Sequence, residues 1–249
     1  MVSGKYCALT GAISREQRLA NISTNLANIN TVGYKKSRMC FESLLKGELQ
    51  TTDAKGINYS RVRENFTEFA EGAMKTTSNP LDLAIHGDGF FKVQTLDGTQ
   101  YTRRGDFHVG QDGTLLTGND MPVLDEGNAP IIIPNTDTSK ISVNSLGEVS
   151  ILSLEGGRES VGKIAVYTIN DTASLKRETD TLFSLKEGGQ ETLTEEPKIA
   201  VGKLESSNVN MTAEMALMID CSRTFESCQK VLKTYSQIGQ KQDELGTIG

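Results

Sequence analysis

The sequence predicts an α+β fold in which an N-terminal and a C-terminal helix flank a mostly antiparallel β domain. Apolar residues return every three or four positions near both ends of the chain, the repeat of a single helix face. Between them, short β-branched and aromatic runs alternate with glycine-centred turns, the pattern of successive hairpins.

In the first segment Val2, Tyr6, Leu9 and Ile13 follow helical spacing. Leu19, Ile22, Leu26 and Ile29 follow it again, after a shift that carries the stripe around the helix. Asn21, Ser23, Thr24, Asn25, Asn28 and Asn30 compete for backbone hydrogen bonds, so packing must supply the stability that propensity withholds. Gly33, after Asn30-Thr31-Val32, is the expected stop, since glycine takes a left-handed conformation without a Cβ clash. Residues 1–35 therefore read as an N-terminal helix. Residues 36–70 read as a polar connector with a short apolar patch of Phe41, Leu44 and Leu45.

Residues 71–202 read as a β-rich body. Asp97-Gly98 separates Phe90-Phe91-Lys92-Val93-Gln94 from Tyr101-Thr102-Arg103, a hairpin signal because Gly accepts positive φ in a tight turn. Asp112-Gly113 marks a second turn and Ser145-Leu146-Gly147 a third. Lys163 to Ile169 is a further strand.

Residues 203–249 hold the second helix, capped by either Asn208 or Asn210. Met211, Met215, Met218, Ser222, Phe225, Gln229 and Leu232 step by four and three, with Leu217, Ile219, Val231, Tyr235 and Ile238 on flanking faces. Neither terminal helix hides its stripe alone. The expected solution is an antiparallel coiled coil of the two, with the remaining apolar surface buried against other subunits.

The chemistry-bearing residues are sparse. His86 and His108 stand apart, so no histidine cluster is available for a metal or a triad. Gly87-Asp88-Gly89 runs on into Phe90-Phe91-Lys92 without the third glycine of a nucleotide loop. Cys7, Cys40, Cys221 and Cys228 lack zinc-ligand spacing and read as small buried hydrophobes. Arg104-Gly105-Asp106 spells the integrin tripeptide but also suits a bend between strands. No catalytic, cofactor-binding or metal-binding residue is expected.

Charge excludes other classes. The chain carries 26 Lys and Arg against 32 Asp and Glu, a net of -6. Its basic excess is confined to the first 36 residues, so the acidic body argues against a nucleic-acid partner. Apolar runs such as Ile131-Ile132-Ile133 are too short to insert in a membrane. Val2-Ser3-Gly4-Lys5-Tyr6 lacks the apolar core of a cleavable signal peptide.

Four ordered segments carry a resemblance. Asn25-Leu26-Ala27-Asn28-Ile29-Asn30-Thr31-Val32-Gly33-Tyr34-Lys35 resembles the N-terminal signature of bacterial flagellar rod and hook proteins. Pro80 to Phe91, continued by Tyr101 to Phe107, resembles their central motif. Gly202-Lys203-Leu204-Glu205-Ser206-Ser207-Asn208-Val209-Asn210 is similar to their run into the last helix, where Met215, Ile219, Arg223 and Phe225 occupy family-like positions.

The resemblance implies a structural subunit of the flagellar basal-body rod, not an enzyme. Chain length places it nearest the FlgF type of the proximal rod, with the distal-rod FlgG type as alternative. It further implies export through the flagellar type III apparatus without a cleaved signal, terminal helices lining an inner tube, and a rod crossing the periplasm. Expected partners are other rod proteins, copies of the chain itself and the export apparatus. The expected assembly interface has two parts. Asn25, Leu26, Asn28, Thr31 and Gly33, with Asn208, Val209 and Asn210, would shape the helix ends and subunit contacts. Met215, Met218, Phe225 and Leu232 would line the seam. Two rivals are an exported wall-remodelling enzyme, which needs paired carboxylates in a cleft, and an adhesin presenting Arg104-Gly105-Asp106 on a loop tip.

Overall fold

The computed structural model describes residues 2–46, 57–134, 141–152 and 157–246. They form two units, each with its own interior. The first unit holds α1 (Val2–Ala27), the strands β1 (Ser37–Lys46) and β2 (Ile57–Thr67), and α2 (Met211–Gly246). The second holds the described residues of Asn28–Lys36 and Glu68–Val209.

α1 ends well before Gly33. The Asn28 side chain accepts the Thr31 hydroxyl at 2.9 Å and its carbonyl accepts Thr31 N at 3.2 Å. This closes a local turn that competes with the next helical turn. Gly33 does have positive φ, at 67°, but for a reason met below.

The segment read as a connector is a strand pair. β1 and β2 run antiparallel from Ser37 opposite Thr67 to Lys46 opposite Ile57, with a bulge between Cys40 and Phe41. Cys40 lies exposed on this ribbon, unlike the buried Cys221, so the expectation of a buried thiol fails there. Phe41 and Phe66 are also exposed. The side chains of Val2, Leu44 and Leu45 lie outside the described residues.

The second unit is built of short antiparallel strands. In chain order these are β3 (Met74–Thr76), β4 (Leu83–Ile85), β5 (Phe90–Thr95), β6 (Gly98–Thr102), β7 (Phe107–Val109) and β8 (Leu115–Thr117). There follow β9 (Ile141–Val143), β10 (Glu148–Leu152), β11 (Arg158–Lys163), β12 (Val166–Ile169) and β13 (Leu175–Arg177). The last are β14 (Leu182–Leu185), β15 (Glu191–Leu193), β16 (Ile199–Val201) and β17 (Lys203–Glu205). The central sheet has six strands in the order β13-β14-β6-β5-β12-β15. The three hairpins expected from Asp97-Gly98, Asp112-Gly113 and Ser145-Leu146-Gly147 are present as β5–β6, β7–β8 and β9–β10.

Alternation along β5 sorts two cores. Phe91 and its partner Val166 point into the larger one with Leu83, Leu115, Val123 and Ile164. Phe90 and its partner Tyr167 point the other way, to Tyr101, Leu175 and Phe183. Successive side chains on a strand face opposite sides, so one hairpin seeds both cores.

Candidate assembly surface

α1 and α2 meet along a line on which Gly4, Gly11 and Asn25 of α1 face α2. A Cβ placed on Gly4 would come 2.5 Å from the Tyr235 hydroxyl, and one on Gly11 would come 3.7 Å from Cys228 Sγ. Cys221 Sγ donates to the Arg15 carbonyl at 3.4 Å, and Asn25 Nδ2 donates to Glu214 Oε2 at 3.4 Å. Positions rise on one helix as they fall on the other, so the two run side by side in opposite directions. On α2 the residues withdrawn from solvent include Glu214, Met218, Cys221, Phe225, Cys228, Leu232 and Tyr235. Their steps alternate between four and three, the repeat of a helix contact line.

That line differs from the stripe the sequence suggests. Met218, Phe225 and Leu232 belong to both. Met211 and Met215 instead face outward and are exposed, as are Ile219, Val231 and Ile238. On α1 the difference is larger: Tyr6, Leu9 and Ile13 are 53%, 42% and 45% exposed. Gly4 and Gly11 on α1 leave room for the larger Tyr235 and for Cys228 on α2. Tyr6, Leu9 and Ile13 are thereby left on the outside of α1. The signal was present as heptad spacing of Gly4, Gly11 and Asn25 on one helix and of Cys221, Cys228 and Tyr235 on the other.

The ends of the helices are fixed by amides. Asn25 is buried; its Oδ1 accepts Ser37 N at 3.0 Å and its Nδ2 donates to Ser37 O at 2.9 Å, besides reaching Glu214. It thus ties the last turn of α1 to the start of β1 and the first turn of α2. Leu26 beside it is half-buried. Of the two candidate caps it is Asn210 that caps α2, its Oδ1 accepting Ala213 N at 3.0 Å.

The residues between α1 and β1 belong to the β body. Gly33 N donates to Glu205 O at 2.8 Å, and a Cβ on Gly33 would sit 2.5 Å from Arg104 N. Both its positive φ and this close approach require glycine. Lys35 Nζ donates to Glu205 Oε1 at 2.6 Å and to Ala70 O at 2.8 Å, while Gly72 N donates to the same carboxylate oxygen at 2.8 Å. The Arg103 guanidinium lies 3.6 Å from Glu205 Oε2. Burial pulls the Lys35 ammonium below its ordinary range, and Glu205 pulls it partly back. Burial likewise lowers Arg103, again opposed by Glu205.

Asn208 completes the junction: its Oδ1 accepts Lys36 N at 2.7 Å and its Nδ2 donates to the carbonyls of Glu68 and Ala70. Val209 is buried beside it. Arg177 covers the Tyr34 ring and donates to the Lys35 carbonyl. Two segments far apart in the sequence, 28–36 and 202–209, are therefore one piece of structure. Nothing in the sequence pattern pairs Lys35 with Glu205.

The alternatives fare differently. Arg104 Nε and Nη2 bond both oxygens of Asp106, at 2.6 and 2.8 Å, and Gly105 packs against the Leu83 carbonyl. The tripeptide neutralises itself rather than presenting its charges on a loop tip. Among the described residues no group of three His, Cys, Asp or Glu side chains is placed to hold a metal, and no helix is long and apolar enough to cross a membrane.

Three family profiles match the chain in order. Residues 6–35 match "Flagella basal body rod protein", residues 84–151 "Flagellar hook protein FlgE/F/G D1 domain", and residues 200–245 "Flagellar basal body rod FlgEFG protein C-terminal". The flagellar basal-body rod protein FlgG of Bacillus subtilis is 33% identical, with 97% of this chain and 98% of the relative covered. The chain belongs to the flagellar basal-body rod protein family. The basal-body rod protein FlgF of Mesorhizobium japonicum is 31% identical over 100% of this chain and 99% of its own, and that of Caulobacter vibrioides 30% over 100% of both. This rod protein is structural, as its relatives are, and not an enzyme. The first and last profiles end on the junction just described: one closes at Lys35, and the other opens just before Glu205 and Asn208.

Proposed function

We propose that this rod protein is a structural subunit of the proximal rod, assembled by packing of its terminal helices against those of neighbouring subunits. The observation that carries this reading is the outward apolar face of both helices. Tyr6, Leu9 and Ile13 on α1, and Met211, Met215 and Ile219 on α2, stay exposed after the contact line between the helices is filled. Apolar stripes repeated along two long helices mark an interaction surface. Within a subunit, the alternating four-and-three contact line supports an antiparallel coiled coil.

In this reading the helices within residues 1–35 and 203–249 form the inner-tube domain, 36–70 the connection and 71–202 the outer body, to which 28–36 and 202–209 also attach. Asn25, Leu26, Asn28, Thr31, Gly33, Asn208, Val209 and Asn210 set the helix ends, and Met215, Met218, Phe225 and Leu232 contribute to helix packing. The chain reaches the periplasm through the flagellar type III apparatus without a cleaved signal peptide, and motility depends on it. A distal-rod role is the second reading, favoured by the match to FlgG over nearly the full length of both chains. Subtomogram averaging of basal bodies from a strain lacking the gene separates them. Loss of the membrane-proximal rod level supports the first, loss of only the distal level supports the second, and an intact rod with normal swimming rejects both.

A further inference from the structure

We propose that the β body makes a second, head-to-tail contact between copies of this chain, in which the Leu96 turn of one copy seats in the groove over Pro197 and Ile199 of the next. It builds on the rod-subunit reading. Leu96 stands at the tip of the β5–β6 hairpin and is 106% exposed. Thr95 pairs with Gly98 across the turn, and its hydroxyl donates to the Gly98 carbonyl at 2.7 Å. The leucine is therefore held out on a fixed support, at a turn position that local structure fills with polar residues. It has no burial within its own subunit to explain it.

The same body carries a matching recess of about 500 Å³. Buried Pro197 and Ile199 form its floor, with half-buried Met74 and Ala200 and exposed Leu146 beside them. Lys198 and Lys203 stand exposed on its rim with one acid, Glu196, while His86 is held by Glu71 at 2.9 Å. The residue after the Leu96 knob is Asp97, so an apolar tip followed by an acid meets an apolar floor edged by two lysines. The groove draws on β3, the β9–β10 turn and the β16–β17 run, with His86 four residues before β5, and the knob lies past the far end of β5.

Knob and groove thus occupy different places on one body. A contact of this kind is not a two-fold dimer; it repeats from copy to copy, as a ring or an open helical array. That is what an axial assembly needs, and it points to another copy of this chain as the occupant.

The test uses the full chain, tagged and carrying a photo-crosslinking amino acid at position 96, in basal bodies purified from cells. The expected product has twice the mass of the chain, with residue 96 joined to the peptides holding 145–146 or 196–203. Joining to a different rod protein, or to another surface of this one, overturns the contact and leaves the rod-subunit reading standing. Absence of the chain from basal bodies overturns both. With the crosslinker at 146 instead, Leu96→Asp should cut the product about fivefold or more, the loss of one apolar anchor. An unchanged yield overturns the proposal. Leu96 is exposed, so the variant's melting temperature should match that of the parent.

Discussion

Lys35 places its ammonium where almost no water reaches, and Glu205 is the carboxylate that makes this tolerable. Removing one partner of a buried pair leaves the other uncompensated, at a cost of about 3–5 kcal/mol. Glu205→Gln should therefore lower the denaturant midpoint of the β body strongly, read from the near-ultraviolet signal of Tyr101 and Tyr167. Lys35 also has a pH signature. Its folded pKa is lowered, so between that value and the ordinary 10.5 the unfolded chain holds the proton more tightly. Stability from this group rises with pH across that window. Tyr101, held up by burial and by Glu191, acts oppositely above pH 10. The difference in stability between the parent chain and Lys35→Met isolates the lysine. Because Met at 35 leaves Glu205 unpaired, the parent is the more stable; the difference should widen as pH rises toward 10, and a constant difference would refute the assignment. Gly33→Ala meets both the positive φ and the Arg103–Arg104 backbone. It should cost about 3 kcal/mol or more in the same melting experiment.

At the scale of elements, the two faces of α1 should respond in opposite ways. Gly11→Leu inserts a branched side chain where Cys228 Sγ lies. It should weaken the α1–α2 pair by about 1–3 kcal/mol, seen as faster hydrogen exchange in the peptides of both helices. Leu9→Asp changes a residue that faces water in the monomer. Exchange there should stay within the about ±0.5 kcal/mol of a surface change, while rod assembly and swimming fail. If Leu9→Asp swims normally, the outward face is not an assembly surface. The helices themselves were legible from their periodicity. The side on which they meet was only partly legible: Met218, Phe225 and Leu232 lie on the predicted stripe, but on α1 the line runs through Gly4, Gly11 and Asn25, which a search for large apolar residues does not register. The β1–β2 pair was not legible as strands. Its stabilisation is a ladder of backbone hydrogen bonds between segments that look polar, and such pairing leaves little trace in side-chain pattern.

At the scale of the whole molecule, the two units have separate interiors although the chain passes from one to the other four times. Phe91 lies in the larger core of the β body. Phe91→Ala should cost the body about 3–5 kcal/mol. Exchange should rise in peptides from Leu83 to Ile199 and leave the α1 and α2 peptides near their parent rates. A parallel rise in both sets would mean that the units unfold as one. Independence of this kind suits an axial subunit, because the helical surface can be reshaped by assembly without melting the body.

The sequence by itself determined the class of fold, the positions of the hairpin turns, the presence of a helix near each end of the chain and the family. Each of these is a local property: a glycine where φ must be positive, a stripe repeated at helical spacing, or a motif read in order. The tertiary structure alone decided three things. It brought the signature after α1 onto the run before α2, through Gly33, Lys35, Glu205 and Asn208. It turned Gly4, Gly11 and Asn25 of α1 toward α2 and left Tyr6, Leu9 and Ile13 outward. It set Leu96 at full exposure on a paired turn. All three depend on which distant surfaces fill the same space, and the sequence records that only as residues that neither break nor make a local pattern.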